Sequence, residues 1–378
     1  MTAGERTVDV AVVGGGITGL ASALRLSDQG ARVAVVDAGR NAGSDANAGS
    51  LHVQLQSRIL RLFPDEAPNI EASLPVYLAA AQTWIALDER VGGVELIRKG
   101  GLMLAEGADQ MAFLEKKAER ETRLGLDVAI LGREELARMA PWLGDQVIGA
   151  ELCRDEGKLN PLVANRKLRS ALESADVTFL RQAVDRLEAG ADGVTLSYAG
   201  GSLRADRAIL ATSWGTRALA ETLGAPIPVS WEPLHMNITE PADYVIEQLV
   251  QHAERPITLK QFRSGQIVIG GGWEARFDPA HGTPDVLESS VLGNTALAAR
   301  LAPGIGNLRV IRTWAGLNTT GDGKSIIGPL DMAPGVIAAV PGDAGYTLGP
   351  LVGQMAADIA LGRTPAFDPA PFTPSRFA

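Results

Sequence analysis

The chain has 378 residues, 46% hydrophobic and 21% charged, the composition of an ordinary globular protein with length for two or three domain-sized cores. A formal charge of −9 argues against nucleic acid or an anionic membrane as a partner, since no basic face offsets phosphate charge. The one cysteine, Cys153, excludes an internal disulfide, a cysteine zinc site and an iron–sulfur cluster, and no apolar run approaches the roughly 20 residues of a membrane span. The polar opening, Met1 to Thr7, lacks a signal-peptide core, so a cytoplasmic protein is expected.

Val8 to Val13 is a β-branched run suited to a buried parallel strand. It leads into Gly14-Gly15-Gly16-Ile17-Thr18-Gly19, a G-x-G-x-x-G, and then into helical spacing at Ile17, Leu20, Ala21 and Leu24 that Gly30 stops. A second strand, Val33 to Val36, ends in Asp37. Gly14 makes the tight turn, Gly16 lets backbone approach a pyrophosphate, and Gly19 lets helix pack on strand. The helix N-terminus, at Ile17 and Thr18, offers free N–H groups to phosphate. Asp37 lies near the spacing at which an acid accepts ribose hydroxyls. Together these parts predict an adenine dinucleotide site.

A small-residue loop, Ala38 to Ser50, follows, then a helix carrying Tyr77, Ala81, Trp84, Ile85 and Asp88. Gly101 to Ala105 reads as a strand, Gln110 to Leu124 as a charged amphipathic helix, and Gly132 to Leu136 as the start of another before Pro141. Lys116-Lys117 among glutamates reads as a solvated face. Pro161 to Ser174 predicts a helix with proline in its first turn, Val177 to Leu180 a strand, and Val184 to Tyr198 a β-meander. Ala208 to Ala211 reads as a buried strand ending at Thr212-Ser213-Trp214-Gly215, where α/β sheets present loops to ligands. Val229 to Gly272 is strand-like, Pro284 to Leu301 helical and Gly335 to Val340 a strand. The last helix is expected to open with Pro350 at its first position and close at Gly362. This order fits two interleaved domains, a dinucleotide domain of residues 1–75, 150–215 and 305–378 and a substrate domain of 76–149 and 216–304.

Three blocks carry a family resemblance: the N-terminal motif, Ala205-Asp206-Arg207-Ala208-Ile209-Leu210-Ala211-Thr212, and Arg312-Thr313-Trp314-Ala315-Gly316-Leu317 with Asp322-Gly323-Lys324-Ser325-Ile326-Ile327-Gly328. Over nearly its whole length the chain resembles the FAD-dependent family of D-amino-acid oxidase, glycine oxidase and sarcosine oxidase. Asn47 to Leu55 and Tyr346 to Pro350 look most like the flavoprotein β subunits of opine oxidase, D-hydroxyproline dehydrogenase and hydrogen cyanide synthase. The fold this implies is α/β (α+β), a Rossmann-type FAD-binding domain interleaved with a mixed-sheet substrate domain. The cofactor is then FAD, oxidising the C–N bond of an amino acid or secondary amine by hydride transfer to flavin N5. The resemblance also implies a partner α subunit, with a further small electron-transfer subunit left open. The alternatives are a self-sufficient oxidase that makes hydrogen peroxide and a flavin-binding subunit without activity.

Cofactor contacts are expected at Gly14, Gly16, Ile17, Thr18, Gly19, Asp37 and Ala38, and at the close-approach loop Asn47-Ala48-Gly49 with Leu51. The resemblance adds Val184, Gly316, and Ala211, Thr212 and Trp214. Gly345, Tyr346, Thr347 and Leu348 would set the last helix N-terminus at the flavin pyrimidine, where reduced flavin gathers negative charge. Candidate catalytic residues are His52, His235, Asn318 and Tyr346. Trp231, Trp273 and Tyr346 are candidates for an apolar pocket, whereas His252 and His281 lie in polar contexts that suggest solvent. One departure stands out. Stand-alone oxidases usually follow Gly-Leu with an arginine that grips the substrate carboxylate, and here Gly316-Leu317 is followed by Asn318-Thr319. An amide does not replace a bidentate guanidinium. The tail from Thr364, with Phe367, Phe372 and Phe377 among prolines, is expected either to dock a partner or to fold back on this chain.

Overall fold

In the computed structural model the described residues are 6–40, 43–57, 60, 64–65, 67–278, 280 and 282–377. His281 lies outside them. Strand Arg6–Val13 is buried from Val10 to Val13 because both faces of its sheet are covered. The sheet has eight strands, with the order Ile326–Leu330, Ala333–Val340, Gly201–Leu210, Arg6–Val13, Val33–Val36, Thr178–Leu180. The strands from Ala333–Val340 to Thr178–Leu180 run parallel, and Ile326–Leu330 closes one edge antiparallel. The hairpin Val184–Gly190 and Gly193–Tyr198 branches from Gly201–Leu210. The chain leaves the first strand on one side for Val33–Val36 and later fills the other side, so the strand order reverses beside Arg6–Val13. Ligand crevices open at such a switch point.

Helices Ile17–Asp28, Ala67–Val91, Pro161–Glu173 and Gly345–Ala360 cover one face and share one apolar core with it. A second eight-stranded sheet has the order Val310–Thr320, Ser230–Thr239, Ile267–Gly270, Thr258–Gln261, Leu249–His252, Gly101–Ala105, Gly149–Cys153, Val128–Gly132. Helix Glu288–Leu301 packs beneath it. Val310–Thr320, which the sequence assigns to the dinucleotide domain, pairs along its length with Ser230–Thr239 in this second sheet. Among the described residues, no helix is long and apolar enough to cross a membrane.

Other differences have local causes. The helix expected from Pro284 begins at Glu288, because Leu287 is extended and Asp285–Val286 pairs with Ala275–Arg276 instead. Lys117 is no solvated face: it is 1% exposed and ion-paired to Glu121 and Glu151. The tail folds back on its own chain. Phe372 is buried in the first core, Phe367 packs on it, and Arg376 donates to both carboxylate oxygens of Asp322.

The last helix begins at Gly345, five residues before the expected start, and carries Pro350 within it. Proline brings no N–H to the carbonyl four residues back. That carbonyl belongs to Tyr346, and the indole N–H of Trp84 reaches it at 3.1 Å and Thr347 O at 3.2 Å. The Trp84 ring is fully buried and stacks on Tyr346, centroids 5.3 Å apart. A donor from another helix thus replaces the one that proline removes. Trp84→Phe keeps most of the stack and strips the Tyr346 carbonyl of the donor that stands in for proline's missing N–H. It should lower stability by about 1–3 kcal/mol, read by urea unfolding; an unchanged midpoint would show that the indole N–H is dispensable.

Candidate active site

A cavity of about 650 Å³ opens at the C-terminal ends of the parallel strands and is closed on its far side by the second sheet. The residues just past each strand form its near wall: Gly14 to Thr18, Asp37 and Ala38, Gln182 to Asp185, Ala211 to Gly215, and Pro341 to Thr347. Two helix N-termini, those of Ile17–Asp28 and Gly345–Ala360, face into it. Leu234, Met236, Gln251, Thr258 and Gly316 to Thr319 come from the second sheet.

The glycine motif has the geometry that its spacing predicts. Gly14 adopts φ +106°, and a Cβ there would sit 2.4 Å from Ala211 O. A Cβ on Gly19 would sit 1.9 Å from Gly14 O, so Gly19 lets helix meet strand and does not reach the cavity. Ser44 Oγ accepts from Ile17 N at 2.9 Å, which ties the small-residue loop to the helix start. Ser213, on the cavity wall, holds a left-handed φ of 59° that non-glycine residues seldom adopt.

Gly14, Gly16, Ile17, Thr18, Asp37, Ala38, Asn47, Ala48, Val184, Ala211, Thr212, Trp214, Gly316, Gly345 and Thr347 all line the cavity, as do His52, Asn318 and Tyr346. Gly49, Leu51, Leu348 and His235 do not. Gly49 turns the loop at φ +78°, with Leu159 O filling the space of a side chain. Strand alternation explains two more. Ser50 and His52 face the cavity, so Leu51 between them enters the core; Leu234 and Met236 face it, so His235 points away and is 0% exposed. Burial holds the His235 pKa below its ordinary value. Leu348 is buried within the helix packing. The Tyr346 hydroxyl is committed to Asn165 Oδ1 at 3.0 Å and Pro161 O, and burial raises its pKa well above the usual range. Its phenol is therefore no free acid or base. Neither Trp231 nor Trp273 lines the cavity: Trp273 donates to Pro256 O, and Trp231 joins an edge-on aromatic group with Trp214 and Phe277.

His52 is held from two sides. Its backbone N–H donates to Thr347 Oγ1 at 3.0 Å, and its Nδ1 lies 3.8 Å from Glu156 Oε1. Glu156, 0% exposed, accepts from Val53 N at 2.9 Å, Gln54 Nε2 at 2.7 Å and Gln251 Nε2 at 3.0 Å. Behind it Lys117 donates to Gln54 Oε1, Glu121 and Glu151. Burial, with Glu121 alongside, raises the Glu151 carboxyl above its ordinary value, and Lys117 pulls the other way. Asn318 Nδ2 reaches Asp343 Oδ1 at 3.3 Å.

Sequence reasoning missed Glu156, Gln251, His252 and Arg255. His252 is buried on the cavity wall and not in solvent, and its Nδ1 accepts from Glu254 N and Arg255 N at 3.0 Å each. Arg255 Nε pairs with Glu106 at 3.0 Å. Arg40 and Arg255 are the arginine or lysine residues among the described residues of this wall, Arg40 at the Asp37 end and Arg255 at the second sheet. No motif marks these positions, because the sheet brings them together from separate strands and loops.

A family model described as FAD dependent oxidoreductase (DAO) matches residues 9–359, and the chain belongs to that family. An opine oxidase subunit from Agrobacterium tumefaciens is 25% identical over 87% of this chain and 86% of its own. Glycine oxidase of Pseudomonas aeruginosa is 29% identical over 97% of this chain and 98% of its own. The crystal structure of glycine oxidase from Geobacillus kaustophilus superposes with a TM-score of 0.85, at 24% identity, over 98% of this chain and 99% of that one. The protein is thus an FAD-dependent oxidoreductase, and the cavity fits the group: a glycine turn under a helix N-terminus, an acid after the second strand, and a second helix N-terminus at the far end.

Two substitutions test that fit. Gly16→Val places a branched side chain at the pyrophosphate position and should abolish FAD retention; a yellow, FAD-loaded variant would refute the placement. Asp37→Ala should weaken FAD binding by about 1.5–3 kcal/mol, as for a charge-assisted hydrogen bond, in a titration of the apoprotein. An unchanged affinity would remove Asp37 from the ribose contact.

Proposed function

We propose that this chain oxidises the C–N bond of an amino acid or secondary amine as the flavoprotein subunit of a hetero-oligomeric dehydrogenase. The observation that carries this reading is a cavity running from the dinucleotide cradle to a second sheet, with His52, Asn318 and Arg255 on its wall. Similarity to a protein named as a subunit of opine oxidase, and Asn318 where stand-alone oxidases usually carry arginine, favour the subunit role. When bound, FAD supplies the hydride acceptor.

The residues divide the remaining work. Arg255, steadied by Glu106 and by His252 beneath its backbone, is the cation available to a substrate carboxylate at this end. It replaces the missing arginine from a different loop. His52 faces the same space, and Glu156 beside its Nδ1 favours the ring orientation that presents the other nitrogen to substrate. Leu234 and Met236 give an apolar surface that excludes water. The helix Gly345–Ala360 aims its N-terminal amides at this region, a field that stabilises negative charge. A second reading, a self-sufficient oxidase, draws on the near-complete overlap with glycine oxidase.

Anaerobic mixing of the FAD-loaded chain with glycine, sarcosine, L- and D-proline and N-(carboxyalkyl) amino acids should bleach the flavin with at least one of them. Bleaching by none would end the proposal. In air the isolated chain should pass electrons to an artificial dye faster than to oxygen. Rapid peroxide formation, stoichiometric with imine, would select the oxidase instead. Arg255→Met should raise KM for the carboxylated substrate at least tenfold, and an unchanged KM would remove Arg255 from substrate binding.

A further inference from the structure

Lys260, in strand Thr258–Gln261, is 0% exposed and has no carboxylate partner among the described residues. Its Nζ is 2.7 Å from Ser50 Oγ and 3.4 Å from Thr258 Oγ1, and both hydroxyl residues line the cavity. Thr258 and Lys260 share a strand face by the two-residue alternation, so Lys260 points toward the cavity and Ser50 covers it. We infer that Lys260 and Ser50 form a proton relay opening on the cavity, which takes the proton a substrate ammonium must lose before oxidation. This rests on the amine chemistry proposed above.

The step balances without a further reactant. An N–H bond of the ammonium breaks as an O–H bond forms on Ser50; Ser50's own O–H breaks as an N–H bond forms on neutral Lys260. The amine keeps its lone pair, which is the form that can be oxidised. Burial and the neighbouring Lys158 push the Lys260 pKa down to about 7, so the free base is present at neutral pH and above. The surroundings agree. Strand Ile267–Gly270 beside it is apolar. From strand Leu249–His252, Gln251 donates to Glu156 and His252 lies by Glu106. Lys158 is itself buried, held down to about 7 by desolvation against the opposing pull of Glu247.

Two readouts test the relay. In [13Cε]lysine-labelled holoprotein without substrate, two lysine signals should titrate near pH 7, one that vanishes in Lys260→Met and persists in Lys158→Met, and one that does the reverse. Absence of a signal that Lys260→Met removes would overturn the proposal. In anaerobic flavin reduction with the fastest amine of the panel above, the wild-type limiting rate should rise with pH through that same ionisation. Lys260→Met should lose this limb and fall by about 10²-fold at pH 8.5, the scale of general-base catalysis. Ser50→Ala should do the same with Lys260 in place, and Ser50→Thr should retain the limb. Lys260→Met removes a buried unpaired charge, so its Tm at pH 7 should match or exceed wild type. A full rate and intact limb in Lys260→Met or Ser50→Ala would overturn the relay. A lysine titrating near 7 in a protein whose flavin no amine bleaches would instead sink the amine reading, and the relay's role with it.

Discussion

The segment Ser50 to Ser57 runs through the interior with almost no strand beside it, and the cavity depends on how its backbone is satisfied. Ser50–Leu51 pairs with Gly157–Lys158, and there regular pairing ends. Buried N–H groups need acceptors. They find them in side chains: Thr347 for His52, Glu156 for Val53 and Gln54, Glu121 for Leu55. An ionised carboxylate accepts more strongly than a neutral group, which suits a segment whose position fixes His52 and Ser50 on the cavity wall. Glu156 also accepts from Gln251, so the same carboxylate joins this segment to the second sheet. Gly101 leaves room for it, since a Cβ there would lie 1.8 Å from Glu156 Oε2.

The other half of the wall follows from topology. Parallel strands end on one side of the sheet, so Val13, Val36, Leu180, Leu210 and Val340 deliver their following loops to one crevice. Two of those loops start helices, which point their N-termini at the same space. The second of these keeps its first turns despite Pro350 because Trp84 donates across from a neighbouring helix. Packing of Trp84 in the core and the field at the cavity are therefore one arrangement. His52 belongs to it as well, since Thr347 in that helix accepts the His52 N–H.

What was legible in the sequence was local. Gly14 to Gly19 and Asp37 announce themselves because one turn, one helix start and one strand end impose fixed spacings. Gly101–Ala105 and Val33–Val36 have the bounds that their apolar runs predict. Partnerships across the fold were not legible. Proline rules place a helix start at Pro350, and only the donated Trp84 N–H, from residues far earlier in the chain, allows the helix to begin at Gly345. Lys117 reads as surface because charged amphipathic helices usually show charge to water; its acids Glu121 and Glu151 turn it inward. His235 reads as a site residue until its strand neighbours Leu234 and Met236 are seen to face the cavity. His252, Glu156 and Arg255 had no motif to mark them.

The buried charges divide into two kinds, and the difference argues for two kinds of work. Lys117 has two carboxylates; burial works against its charge, but Glu151 and Glu121 outweigh that and raise its pKa. That cluster braces Gln54 and Leu55 with its charge in place. Lys158 and Lys260 have no such compensation, and each is brought from 10.5 to about 7. Between those two values the unfolded chain binds more protons than the folded one, so stability rises with pH through that window and the full penalty stands below it. Apolar residues of similar length would remove the penalty. Lys158 at least gives its protons to Ile246 O and lies 5.3 Å over the Tyr244 ring. Lys260 meets two hydroxyls, and both belong to the cavity wall. A fold that carries an uncompensated amine there, at a standing loss of stability, has placed it where its proton matters to what enters the cavity.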